Sequence, residues 1–154
     1  DLSVFSDGIS IEDTMGVIVK YENKAILTYS LNAYMPWEGH RVMFNGTKGR
    51  MEVSVGENTY VSGAGAVEGG VKQKKIVVMP LFEAPYEVEV KETEGGHGGG
   101  DPILLNDIFG TPVDDKFNRA ADHVDGAMSI LTGVAANKSI ATGLPVNIDT
   151  LVKF

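Results

Sequence analysis

Strand-like stretches crowd into residues 15–55, and the gaps between them are too short to hold a helix. Met15, Val17 and Val19 alternate with Gly16, Ile18 and Lys20. Glu22-Asn23 reads as a tight turn, and residues 24–34 form a long second stretch rich in Ile, Leu, Thr and Tyr. Pro36 and Gly39 break that pattern, and two further strands are expected at 41–44 and 50–55. Between them Asn45-Gly46-Thr47-Lys48-Gly49 has the chemistry of a hairpin turn. Parallel neighbours need a crossover of a dozen or more residues, so these strands are predicted to pair antiparallel.

Residues 56–74 read as a glycine-rich loop ending in lysines. Strands follow at 76–79 and 86–90, the latter alternating Tyr86, Val88 and Val90 with Glu87 and Glu89. After the run Glu94-Gly95-Gly96-His97-Gly98-Gly99-Gly100-Asp101-Pro102 the hydrophobic period changes. A short helix is expected over 102–109, with Asp101 as N-cap and Pro102 at its first position. Ala121, Val124, Met128, Leu131 and Ala135 recur at three- and four-residue steps and predict a helix over about 115–137. Gly126 and Gly133 interrupt it, and close packing against a neighbour would explain them. A helical turn at 139–143 and an edge strand at 145–148 complete the reading.

Strands first and helices later indicate an α+β fold, an open, mostly antiparallel sheet with helices on one face. The other face is expected to meet a second copy, because strand 24–34 carries apolar residues on both parities, as with Ile26 beside Leu27. Residues 1–12 are a polar lead-in or a severed connection, and 13–154 the domain proper.

The net charge of −8 opposes nucleic acid or an acidic membrane surface as partner. No apolar run approaches the roughly 20 residues of a membrane span. The chain has no cysteine, which removes disulfide and thiolate chemistry and suits the cytoplasm. The chain opens at Asp1, and no targeting signal is visible in it.

Four places could carry chemistry. Gly63-Ala64-Gly65 lacks the third glycine of a dinucleotide loop, since position 68 is Glu68, and a strand rather than a helix follows. His97 titrates near neutrality amid glycines that let a ligand approach the backbone, and a helix start beyond it offers N–H groups. Asp122 and Asp125 share a side of the long helix and would make a metal site only with His97 and Asp101, but His123 and Asp122 do not share the i, i+4 face that helical ligands use, and a solvated face is favoured. Tyr34, Trp37, Glu38 and His40 carry aromatic faces and hydrogen-bonding tips that suit a sugar, or equally a rim of core packing.

Together these residues resemble the C-terminal α/β domain of the glucose–fructose oxidoreductase / inositol dehydrogenase / MocA (Gfo/Idh/MocA) family. The resemblance rests on Glu12-Asp13-Thr14, on Phe44-Asn45-Gly46-Thr47-Lys48-Gly49-Arg50-Met51-Glu52 and on Gly96-His97-Gly98-Gly99-Gly100-Asp101-Pro102. It rests also on the helix segment from Asp125-Gly126-Ala127-Met128-Ser129 to Ala135-Ala136-Asn137-Lys138-Ser139. The family joins an N-terminal Rossmann domain, which binds NAD or NADP and holds the usual catalytic lysine, to an open-sheet domain. That second domain lines the substrate pocket and makes the oligomer contact.

The resemblance implies a sugar or polyol substrate, a homo-oligomer through the sheet face, and no cofactor or metal bound by this chain alone. It makes His97, Gly98, Asp101, Trp37 and His40 candidate substrate contacts. It also implies an excised domain, with the Rossmann domain absent and no turnover alone. A branch of the family hydrolyses glycosides through transient NAD-dependent oxidation and carries a similar histidine–glycine loop, with methionine where this chain has Gly100. Hydrolysis, or a non-catalytic relative, is therefore the alternative to hydride transfer.

Overall fold

A computed structural model describes residue 3 and residues 5–58, 73–90, 96–111 and 114–152. The chain divides into two compact units, Asp1–Glu92 and Thr93–Phe154. The first holds the strands and the second the helices, so the α+β, open antiparallel reading is correct.

In the first unit β1 (Thr14–Lys20) pairs antiparallel with β2 (Ile26–Asn32). A three-residue loop, 22–24, joins them. Tyr21 N–H donates to the Ala25 carbonyl at 2.9 Å, and Lys24 takes φ 70. Lys24 therefore belongs to the turn and not to the second strand, because a left-handed residue closes a three-residue hairpin. Directly paired residues share a sheet face. Met15, Val17 and Val19 thus lie with Leu31, Tyr29 and Leu27 on one apolar face. The opposite face is polar apart from Ile18 and Ile26. Ile26 is 68% and Leu27 41% exposed, so within the first unit neither face of β2 is covered by other described residues.

The remaining strands form a second sheet in the order β3 (Glu38–Gly46), β4 (Gly49–Asn58), β5 (Gln73–Pro80) and β6 (Tyr86–Val88), every pair antiparallel. The six described strands thus fall into two sheets rather than one. The break comes at residues 33–37, where Tyr34 turns to φ 58 and Pro36 has no N–H to give a ladder.

The expected hairpin turn is present. Gly46 pairs with Gly49 across Thr47-Lys48, and the positive φ, 148°, falls on Gly49. A Cβ at Gly49 would strike the Met79 carbonyl and the Cα of Pro80 (2.8 Å), so only glycine fits against β5 there. One face of this sheet carries two apolar rows, Val42–Val53–Ile76–Val88 and Phe44–Met51–Val78–Tyr86. The other face carries Arg41, Glu52, Arg50, Lys75 and Glu87. β6 stops at Val88, two residues short of the expected end, and β3 and β5 run longer than their apolar cores suggest.

In the second unit α1 spans Gly96–Phe109 and α2 His123–Thr142. Asp101 is therefore inside α1 and not its N-cap. The helix reaches back through the glycines because Gly99, at φ 87, accepts a backbone closed to other residues. α2 starts eight residues later than the periodicity predicts (123 against 115). Residues 115–120 instead form a loop. Asn118 N–H donates to the Asp115 carbonyl at 3.0 Å, Ala120 N–H donates to the Asp115 carboxylate at 2.8 Å, and Asn118 takes φ 49. The helical turn expected at 139–143 is the end of α2. The expected edge strand at 145–148 is absent. Asn147 caps a 3-10 turn there, Ile148–Thr150, through its side chain and the Asp149 N–H at 3.1 Å.

Close packing does not explain the α2 glycines. A Cβ at Gly126 or Gly133 meets nothing within 4 Å among the described residues. Ala135, 8% exposed, is the buried apolar side chain of the described residues. No helix among them is long and apolar enough to cross a membrane.

Candidate functional site

Residues 34–41 are held by several local constraints. Gly39, at φ 154, sits at a β-bulge opposite Gly56. A Cβ at Gly39 would strike the Val55 carbonyl and approach Cζ2 of the Trp37 ring to 2.9 Å. The indole therefore lies against the glycine, and no larger residue is admitted. From its other neighbour in β3, the Arg41 guanidinium stands 5.4 Å from the Trp37 ring centroid, a cation–π distance. Trp37 is thus oriented by two contacts within its own segment. His40 pairs with Val55 and is exposed. Trp37 and His40, predicted together as substrate contacts, are near neighbours in the chain, but His40 shares the face of Val42 and Val55 while the Trp37 ring lies by Arg41 of the opposite face.

Just before this segment a cleft of about 320 Å³ opens between the lead-in and Tyr34. Phe5, Ser6, Ile9, Ile11, Asp13 and Tyr34 line it. The Phe5 and Tyr34 rings lie 5.0 Å apart, inclined at 44°. Lead-in residue Phe5 thus packs on the body of the first unit, a contact that no local pattern in the sequence indicates. Another open cleft, of about 520 Å³, lies along the sheet edge by Lys74, Glu87, Val88, Glu89 and Val90. Ion pairs steady the charged sheet face: Arg50 Nε to Glu52 Oε1 at 2.6 Å and Lys75 Nζ to Glu87 Oε2 at 2.8 Å. Arg50 also donates to Asn45 Oδ1 at 2.9 Å.

His97, Gly98 and Asp101 stand on α1 in the second unit. Their backbone forms its first turns, and the His97 side chain lies outside the described residues. Asp101 is half-buried. Its positions relative to Leu104, Leu105 and Ile108 are i+3, i+4 and i+7, so it shares the apolar side of α1.

The carboxylates Asp122 and Asp125 have a structural task. Asp122 Oδ1 accepts from the N–H groups of Val124 (2.8 Å) and Asp125 (3.0 Å), and Asp125 Oδ2 accepts from Asp122 N–H at 3.0 Å. This is a capping box with Asp in place of the usual Glu. Among the described residues no group of three or more His, Cys, Asp or Glu is placed to hold a metal. The Gly63-Ala64-Gly65 run lies outside the described residues.

The carboxyl of Asp115 is displaced. The Ala120 N–H donates to it and holds it below the usual carboxylate range. Burial works the other way, and N–H groups of Arg119 and Phe117 and the Arg119 guanidinium, 3.5 Å away, add to the lowering.

Residues 3–148 match the family model described as "Oxidoreductase family, C-terminal alpha/beta domain" (GFO_IDH_MocA_C). The chain belongs to the Gfo/Idh/MocA family. It is 37% identical over 152 residues to "Putative oxidoreductase YteT" of Bacillus subtilis (strain 168). That alignment covers 98% of this chain and 34% of the relative, so this Gfo/Idh/MocA domain spans about a third of the relative's length. No solved structure gives a significant match.

A Gfo/Idh/MocA oxidoreductase is expected to use a nicotinamide dinucleotide. The described residues do not fit one. A pyrophosphate cradle needs a strand, a glycine turn and a helix in a parallel βαβ unit, and every strand pair described here is antiparallel.

Proposed function

We propose that this domain supplies the substrate-binding surface and the oligomer contact of a cytoplasmic NAD(P)-dependent oxidoreductase acting on a sugar or polyol. The family match over residues 3–148 carries the reading. NAD or NADP is held by a part of the protein outside these residues, and hydride transfer takes place there. The domain by itself has no turnover. Trp37 and His40 from the first unit, and His97, Gly98 and Asp101 from α1, contact substrate in this reading. The oriented indole of Trp37 and the permissive glycine backbone of α1 support that assignment. The apolar face of β1 and β2, uncovered within the first unit, supports self-association: a two-stranded hairpin is marginal in water until something covers it.

The test is turnover of the full-length protein with NAD and NADP against a panel of sugars and polyols, read as reduced nicotinamide. Accumulation of reduced cofactor with one of them is expected. His97→Ala should cut turnover about a hundredfold, as loss of a proton-transferring or orienting group does, while the melting temperature holds. No bound dinucleotide and no turnover on any member of the panel would sink the reading. For the oligomer, light scattering at tens of micromolar, roughly the range of a weak interface, should show more than a monomer.

A further inference from the structure

We propose that the cleft between the lead-in and Tyr34 binds a neutral sugar ring. Its walls are built and not accidental. Ser3 folds the lead-in back on itself, its hydroxyl accepting from Phe5 N–H at 3.3 Å and its carbonyl from Ser6 N–H at 2.9 Å. Gly8, at φ 90, bends the chain again. On the far side the Asp13 carbonyl accepts from Ala33 N–H at 2.7 Å, which fixes Asp13 next to Tyr34.

Tyr34 itself stands at φ 58, a left-handed conformation that a bulky aromatic rarely adopts and that costs about 1–2 kcal/mol. Its ring lines the cleft and lies against Phe5. Phe5 nevertheless stays 79% exposed, so the aromatic pair is open to a third ring.

The lining selects the ligand. The rings of Phe5 and Tyr34, with Ile9 and Ile11, suit the C–H face of a pyranose. The polar ends are the Asp13 carboxylate, the Ser6 hydroxyl and the Tyr34 phenol. A carboxylate accepts from two adjacent sugar hydroxyls, and the two O–H groups can donate to or accept from the others. An anionic ligand is repelled by Asp13, and a wholly apolar one makes no use of that carboxylate. The volume of about 320 Å³ is at the small end of ligand pockets and suits one ring. The choice of a sugar over other hydroxylated rings rests on the reading proposed above.

Methyl glucoside and methyl galactoside titrated into the full-length protein, by calorimetry and saturation-transfer NMR, test the site. Phe5→Ala removes one wall, and its exposure means that the fold survives. Asp13→Asn keeps the backbone carbonyl bonded to Ala33 and removes only the charge. Each variant should bind a methyl glycoside about tenfold more weakly with an unchanged melting temperature. If both bind as wild type while the wild-type protein oxidises sugars, this site is refuted and the oxidoreductase reading stands. If tetramethylammonium occupies the cleft and the glycosides do not, it is a cation site and the proposal fails. If no sugar is bound or oxidised at all, both readings fail.

Discussion

The two helices begin in opposite ways. α2 is closed at both ends by its own sequence: the Asp122/Asp125 capping box at the start, and Gly143 at φ 68 donating to the Ser139 carbonyl at 2.8 Å at the end. α1 has no acidic residue in its first turn and no basic one in its last. It enters through glycines, with Gly99 at φ 87, and carries Pro102 inside, which removes one helical N–H. Glycines with free backbones make up the described start of α1. A helix start of that kind unwinds at little cost and takes its shape from what it meets. Three of the five residues proposed to contact substrate, His97, Gly98 and Asp101, sit on the helix with the soft end, and the firm helix carries none.

Three substitutions probe this contrast. Asp122→Ala removes two accepted N–H bonds and should lower stability by about 1–2 kcal/mol, read from chemical denaturation. A loss no larger than that of an exposed surface change would mean that α2 is held by its flanks and not by its cap. Gly143→Ala forces a side chain into the left-handed region and should cost about 1 kcal/mol. Gly100→Ala should do the reverse: its Cβ meets nothing within 4 Å, and stability should rise by about 0.5–1 kcal/mol. If the soft start serves substrate, the same variant turns over more slowly although it is more stable. Equal or faster turnover would show that the glycines are only tolerated.

The smallest effect is one of pH. Asp115 is held below the usual carboxylate range in the folded protein, so its ionised form favours folding above the ordinary value of 3.8. That contribution is lost as pH falls through the lowered value. Asp115→Asn should therefore flatten the acid side of the stability profile and leave the neutral side parallel to wild type.

The strands were legible because alternation such as Met15, Val17 and Val19 is a direct imprint of a pleated face. The Asn45 to Gly49 turn was legible because few residue types tolerate its backbone. The helix starts were not. Ala121 fits the helical period, but period does not mark a beginning. The Asp122-x-x-Asp125 cap does, and its two acids had been weighed as metal ligands. Glycine misled in the other direction at α1, because a residue that permits a loop also permits an irregular first turn. The cleft at Tyr34 depends on Phe5 arriving from the lead-in, a tertiary contact with no local signal. The segment around Trp37 was visible as a cluster of aromatic and ionisable groups, but its fixed orientation comes from Gly39 and Arg41 together.

That last arrangement makes the domain its own spectroscopic gauge. Trp37 is the single tryptophan of these 154 residues, so indole emission from this stretch of chain has one source. A guanidinium at 5.4 Å and a glycine backbone against the ring set its surroundings. Any ligand, subunit or substitution that moves β3 against its neighbours will shift the colour of that emission, and one that does not will leave it dark to the change.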